Sequence, residues 1–233
     1  MYTCFLNDNA RLFSVWILPL VVHGTHPYSL ELKAIPFDYV LVDLSKNENL
    51  IDEHKSLNPS ATVPLLVCNI SSGATATGNF RISQSVAALE YLEEVHKDKG
   101  PSLLPRDIDA RAVVRVLVNI ITSDTALVMN LRTRRQVERL GGDLQAWAHK
   151  LMADGLEAYE GVCAAHAGTY SVGHEVTMAD MCFVPIEWKA REYKVDLTRF
   201  PTILVVMDNM EGLPAMKRSS YYAQTDTPES LKA

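Results

Sequence analysis

The sequence predicts an α/β domain followed by an all-helical domain, and three observations predict it. Short strand-like runs alternate with helical ones as far as about residue 97. A polar stretch, "KDKGPSLLPRD", then brings Gly100, Pro101 and Pro105 together. Beyond it, apolar residues recur only at helical spacing. The chain therefore divides into residues 1–97, a linker at 98–105 and a helical domain at 106–233.

In chain order, "MYTCFL" reads as a first strand. From Asn9 to Ala34, "NARLFSVWILPLVVHGTHPYSLELKA" stands apart from its surroundings. It carries an apolar run, Phe13 to Val22, interrupted only by Ser14 and Pro19. The run has the length of a signal-peptide core, but Asp8 sits in its leader and no A-x-A site follows, which argues against secretion. No run reaches the roughly 20 apolar residues that span a bilayer, so no membrane partner is expected. "DYVLVDL" (38–44) and "TVPLLVCN" (62–69) are apolar, β-branched runs of strand length. The turn-rich "SSGATATGN" leads to a short "FRIS" strand. In "SQSVAALEYLEEVH", Val86, Leu89, Leu92 and Val95 form a helical stripe. Past the linker, "DARAVVRVLVNIITSD" and "DLQAWAHKLMADGLEAYEGV" carry helical periodicity.

A formal net charge of −6 excludes nucleic acid as the main partner, because phosphate binding needs a concentrated basic surface. Cys4, Cys68, Cys163 and Cys182 are widely spaced and form no CxxC pair. Neither a dithiol redox motif nor a zinc site is indicated, and no metal is expected. Reduced thiols in a cytoplasmic protein are the expectation.

Three motifs carry information. Val63-Pro64 opens a strand; a cis bond there would turn the Val63 backbone outward, free to pair with an extended peptide. Alone, such a pair is also an ordinary strand start. Ser83 reads as a helix N-cap, which puts Gln84 and Ser85 in the first turn. Orphan N–H groups and the positive end of the dipole gather there, so the turn suits a carboxylate. A lone Ser-x-Ser run also merely caps a helix. Thr177 and Asp180 form a capping box that opens an apolar helix, a structural role.

Together these residues resemble the cytosolic glutathione transferases, and within them the zeta class, whose members are maleylacetoacetate isomerases. The matching stretches are "NPSATVPLLV", "SQSVAALEYLEE", "LLPRD", "DARAVVR", "MNLR", "YSVGHEVTMADMCFVP", "YKVDLTRFPTI" and "DTPESLKA". They run from about Lys33 to Ala233. The resemblance implies a thioredoxin-like N-terminal domain, an all-helical C-terminal domain and a homodimer. It implies glutathione as cofactor, with Val63 pairing to the cysteinyl backbone and Gln84 and Ser85 holding the γ-glutamyl end. The implied chemistry is addition of the thiolate to a cis double bond of a small dienone diacid, rotation, and elimination to the trans isomer. General transferase activity is also implied. Such chemistry needs donors that lower the thiol pKa and arginines that hold carboxylates; Arg11 and Arg191 are the candidates for the latter.

The chain departs from the class in four places. A serine- and cysteine-rich motif is expected after the first strand, and Asn7, Asp8 and Asn9 stand where the resemblance puts it. Asn7 and Asn9 are the substitute candidates for thiolate stabilisation, whereas Asp8 would raise the thiol pKa. Residues 13–31 read as an insertion between Ala10-Arg11-Leu12 and Leu32-Lys33-Ala34 of a first helix, with Pro19 and Pro27 as breakers. Ala126 and Leu127 replace a polar residue and proline. Glu192 takes the place of an arginine, leaving Arg191 rotated by about 100°. An isomerase with impaired activity, or a silent glutathione-binding relative, are the two readings.

Overall fold

The computed structural model describes residues 10–15, 22–70 and 78–219. Its first half runs β1 (Ala10–Val15), α1 (Val22–Leu32), β2 (Phe37–Val42), α2 (Asp52–Leu57), β3 (Leu65–Ile70), β4 (Gly78–Ser83) and α3 (Ser85–Val95). Its second half runs α4 (Ile108–Asn119), α5 (Leu131–Arg139), α6 (Leu144–Cys163), α7 (Met178–Glu192), α8 (Pro201–Glu211) and α9 (Pro214–Ser219). The strands stand in the order β2-β1-β3-β4. β1 runs parallel to β2, with Ala10 opposite Phe37 and Val15 opposite Val42. It runs antiparallel to β3, and β3 runs antiparallel to β4. A parallel pair needs a crossover, and α1 supplies it.

The strands read from the sequence as 38–44, 62–69 and "FRIS" are β2, β3 and β4; "MYTCFL" lies outside the described residues. The first helix needs correction. Ala10-Arg11-Leu12 does not open a helix but begins β1, the inner strand between β2 and β3. Within the stretch read as an insertion, residues 13–15 complete β1 and residues 22–31 make most of α1, so these parts belong to the domain's frame. A short apolar run has no periodicity that separates a buried strand from a helix, which is why the sequence misleads here. Nor does Pro27 break α1. Proline removes one helical hydrogen bond, but tertiary packing outweighs that loss. Tyr28 meets Trp188 of α7 edge-on, at 6.3 Å between ring centroids. Glu31 pairs with Arg218 of α9 at 2.8 Å.

Two apolar cores result. Leu30, Ile35, Leu66, Cys68, Ile82, Ala88 and Leu92 fill the space between the sheet, α1 and α3. A larger core surrounds α7, in which every residue from Met178 to Glu187 is buried. Tyr28 and Leu89 of the first domain belong to this second core, so the domains share apolar packing. The expected capping box starts α7: the Thr177 N–H and hydroxyl donate to Asp180 Oδ2 at 2.7 and 2.9 Å. Between α4 and α5 the chain passes through a π-helical turn, Ile120–Thr125, and a 3₁₀ turn, Ala126–Met129.

The linker is tied into the structure by a buried lysine. Lys33, 1% exposed, places Nζ 2.9 Å from Glu93 Oε2 and donates to the carbonyls of His96, Lys99 and Pro101 at 3.2–3.3 Å. Glu93 also accepts from the Ser102 hydroxyl and from the Leu103 N–H at 2.9 Å. Gly100 has φ +60°, and a Cβ there would lie 2.7 Å from the Leu32 carbonyl oxygen. Only glycine lets the linker pass this close to the end of α1.

Candidate functional site

A cavity of about 750 Å³ opens where the loops of the sheet domain face the helical domain. Its first wall is the segment that enters β3. Asn58 builds that segment: its Oδ1 accepts from the Ser60 N–H and hydroxyl, and its Nδ2 donates to the Thr62 carbonyl at 2.7 Å. Asn49 donates to the Ala61 carbonyl at 2.8 Å from the neighbouring turn. Asn and Ser offer such local hydrogen bonds readily, so the loop has one shape. It ends in Val63 and Pro64, which line the cavity and share a cis peptide bond.

The second wall is the start of α3. Ser83 does not cap this helix as expected; it ends β4, and Gln84 is the N-cap residue. Gln84 sits at φ 85°, ψ 123°, a conformation that costs a non-glycine residue about 1–3 kcal/mol. No side-chain cap bond is made there. Gln84 and Ser85 both line the cavity, beside Val63. The structure thus brings three residues named from two separate motifs into one place, at a helix N-terminus suited to a carboxylate.

The third wall comes from the helical domain. Asn119, Thr122, Ser123, Ala126, Leu127 and Asn130 face the cavity from the end of α4 and the turns after it. Ala126 and Leu127, flagged as departures, make this part apolar. Asn130 caps α5 by accepting from the Arg132 and Thr133 N–H groups. That cap sets the helix so that Arg132, Arg135, Gln136 and Arg139 face the cavity. The Arg132 guanidinium donates to the Ser60 carbonyl at 3.2 Å, and Arg135 donates to Asn47 Oδ1 at 3.3 Å. Both bonds cross from one domain to the other. Of this wall the sequence reading reached Ala126 and Leu127 alone. An asparagine before "LRTRRQVER" was a legible cap signal, but the π-helical turn that aims Thr122 and Ser123 had none.

Cys182 also reaches the cavity, from α7. Burial, followed by the charge of Asp180, pushes its thiol up to about 12, so it stays protonated and is no nucleophile. Among the described residues no group of three or more His, Cys, Asp or Glu is arranged to hold a metal ion. No single described helix is long and apolar enough to cross a membrane.

Residues 28–95 match the glutathione S-transferase N-terminal domain family. The maleylacetoacetate isomerase maiA of Aspergillus fumigatus is 43% identical over 206 residues, covering 88% of this chain and 87% of that protein. A bacterial maleylpyruvate isomerase, described as a zeta-class glutathione transferase, superposes with a TM-score of 0.81 at 34% identity, over 94% of this chain and 100% of that one. The chain belongs to the zeta-class glutathione transferase family. A maleylacetoacetate isomerase from Anaeromyxobacter dehalogenans, solved with glutathione bound in its active site, superposes with a TM-score of 0.83 at 32% identity, over 94% and 98% of the two chains. Its fold is the thioredoxin-like domain plus helical domain described above.

Asn7 and Asn9 lie outside the described residues, ahead of β1 in the chain. The helix that follows the first described strand starts at Val22-His23-Gly24-Thr25, again without serine or cysteine. Arg11 lies on β1, opposite Asp38 and Val67 of the flanking strands. Arg191 is corrected: it does not line the cavity but pairs with Glu187, one turn earlier on α7. Glu192 pairs with the largely buried Lys189. The i,i+4 spacing captures Arg191 on its own helix.

Proposed function

We propose that this chain is a glutathione-dependent cis–trans isomerase of maleylacetoacetate, acting in phenylalanine and tyrosine catabolism, with glutathione transferase activity beside it. One observation carries the reading: the Val63–Pro64 backbone, Gln84 and Ser85 meet in a single cavity of a zeta-class chain. The cavity suits the tripeptide. The Val63 backbone lies outside any helix or strand and is open to a peptide partner, and the α3 N-terminus offers orphan N–H donors to a carboxylate. When bound, glutathione would supply the thiolate that adds reversibly to the cis double bond. The chain's own residues orient it: Val63 through its backbone, Gln84 and Ser85 through the helix start, and the asparagines and hydroxyls of the facing wall by hydrogen bonds.

Donors that lower the thiol pKa are the weak point. Neither Asn7–Asn9 nor the first turn of α1 supplies the expected serine motif. This favours a second reading, a chain that binds glutathione and turns over slowly or not at all. Retention on immobilised glutathione tests the binding reading; a chain that passes through unretained refutes it. Isomerisation of maleylacetone then separates the two. We expect weak or absent turnover, and a rate equal to that of an intact zeta-class enzyme would overturn that expectation.

The same reading includes a cytoplasmic homodimer. The outer face of α4 supports it, exposing Ile108 and Val116 beside a shallow concavity of about 660 Å³ that is also lined by Arg111 and Arg115. Light scattering should give twice the chain mass, and V116E should halve it.

A further inference from the structure

The helix α5 is seated more lightly than its neighbours. Among the described α-helices it alone has no buried residue. Four arginines and one glutamate fill five of its nine positions, so little apolar side chain is left to anchor it. It rests on the 3₁₀ turn before it and on α6. Its underside is poorly matched. The Arg134 Nε is buried without a hydrogen-bond partner among the described residues. Nearby, burial holds the Lys189 ammonium below the usual lysine pKa; its partner Glu192 opposes that, and the like charge of Arg134 adds to it.

Both ends of α5 suit a hinge. At its C-terminus the Gly141 and Gly142 N–H groups donate to the Glu138 and Val137 carbonyls at 3.0 and 2.9 Å, with Gly141 at φ +74°. At its N-terminus the chain arrives through a π-helical turn, Ile120–Thr125, and a 3₁₀ turn, Ala126–Met129, irregular helix of the kind that marks hinges. Across the cleft, α5 reaches the sheet domain by two solvent-exposed bonds, from Arg132 to the Ser60 carbonyl and from Arg135 to Asn47 Oδ1. Few buried contacts and exposed hydrogen bonds mark a segment that opens locally. Leu50 and Leu127 line the cavity from the two domains, yet are 41% and 46% exposed. Covering that apolar surface would favour a closed cleft.

We propose that α5 is a hinged lid over the cavity, latched to the sheet domain by Arg132 and Arg135 and turning on Gly141–Gly142 and on the irregular turns before Asn130. The latch is weak because both its bonds compete with water, so it opens and closes in the free chain. Closed, the lid holds the ligand in and equally keeps it out, so entry and release both wait for opening. Glutathione as the enclosed ligand rests on the functional reading above; the lid itself does not.

The test is double electron–electron resonance between nitroxides at I51C, in the sheet domain, and L140C, at the end of α5, in a C4S chain; Ile51 and Leu140 are both exposed. The distance distribution should hold a short and a long component, and saturating glutathione should move it to the short one. R132Q/R135Q should raise the long component about twofold or more. R139Q takes a charge from the same helix face but no described bond across the cleft, and should leave the distribution as it was. A single distance that R132Q/R135Q does not shift overturns the proposal, and so does an equal shift in R139Q. Stopped-flow quenching of tryptophan fluorescence by S-(2,4-dinitrophenyl)glutathione gives the kinetic reading. Without the latch, association and dissociation rate constants should both rise about threefold or more. A rise in dissociation alone would make the two arginines plain ligand contacts and overturn the lid. Failure of the unaltered chain to bind glutathione would refute the functional reading alone, and the distances measured without ligand would still judge the lid.

Discussion

At the scale of single residues, Gln84 holds a conformation that its side chain opposes. A residue with a Cβ at φ 85° persists only where its surroundings fix it, and such positions cluster at ligand clamps. Gln84→Gly should therefore leave the folded state as stable or up to about 1 kcal/mol more stable, because relief of strain offsets glycine's entropy. The same variant should bind glutathione several-fold more weakly. Melting curves and calorimetry read the two effects separately; a loss of stability equal to that of an ordinary helix-start glycine would show that the backbone is not strained. The cysteines give a second residue-scale prediction. Burial pushes Cys68 up to about 11 and Cys163 and Cys182 up to about 12. Iodoacetamide at pH 7.5 should leave all three unlabelled in the native chain and modify them after denaturation, as peptide mapping would report.

At the scale of elements, α6 packs closely against the π-helical turn that borders the cavity through Thr122 and Ser123. A Cβ at Gly155 would stand 2.0 Å from Thr125 Oγ1, and Thr125 is fully buried with its hydroxyl bonded to the Ile120 carbonyl. Gly155→Ala should cost about 1–3 kcal/mol by overpacking. Thr125→Ala should recover part of that loss when combined with it, and denaturant melts of the two singles and the double measure the coupling. This joint also shows what sequence reading could and could not reach. Elements whose identity follows from local pattern were legible: the β-branched runs of β2 and β3, the stripe of α3, and the capping box of α7. The meeting of Val63 with Gln84 and Ser85 was legible because two motifs at short range named them. The strand at Ala10–Val15 was not, since a short apolar run fits a strand or a helix equally well. The arginines of α5 were not either. Their spacing marks one helix face, but only the fold shows that this face meets a cavity rather than water.

At the scale of the whole molecule, the Lys33–Glu93 pair joins α1, α3 and the linker. Burial alone would raise the Glu93 pKa, but hydrogen bonds from Ser102 and Leu103 together with the charge of Lys33 hold it below the usual carboxylate value. A depressed folded-state pKa contributes stability that is present above the unfolded value of 4.5 and is lost as pH falls through the folded one. Glu93→Gln leaves a buried ammonium with carbonyl partners only, and should lose about 3 kcal/mol at pH 7. The gap between the variant and the unaltered chain should narrow as pH falls below 4.5, and thermal melts across pH 3 to 7 would follow it. A gap that stays constant over that range would mean the pair contributes nothing.

The buried lysine also has a consequence for the order in which the protein is made. As the chain leaves the ribosome, Lys33 emerges long before the groups that surround it, and the last of them belong to Pro101, Ser102 and Leu103. Until those residues are out, the end of α1 carries a charge that cannot be put away without cost. Without residues 98–103 this charge has Glu93 and the His96 carbonyl but lacks the Lys99 and Pro101 carbonyls, and Glu93 lacks its donors from Ser102 and Leu103, so the pair is complete only with the segment that looks, in the sequence, like mere tether. The helices that complete the cavity begin directly behind that segment.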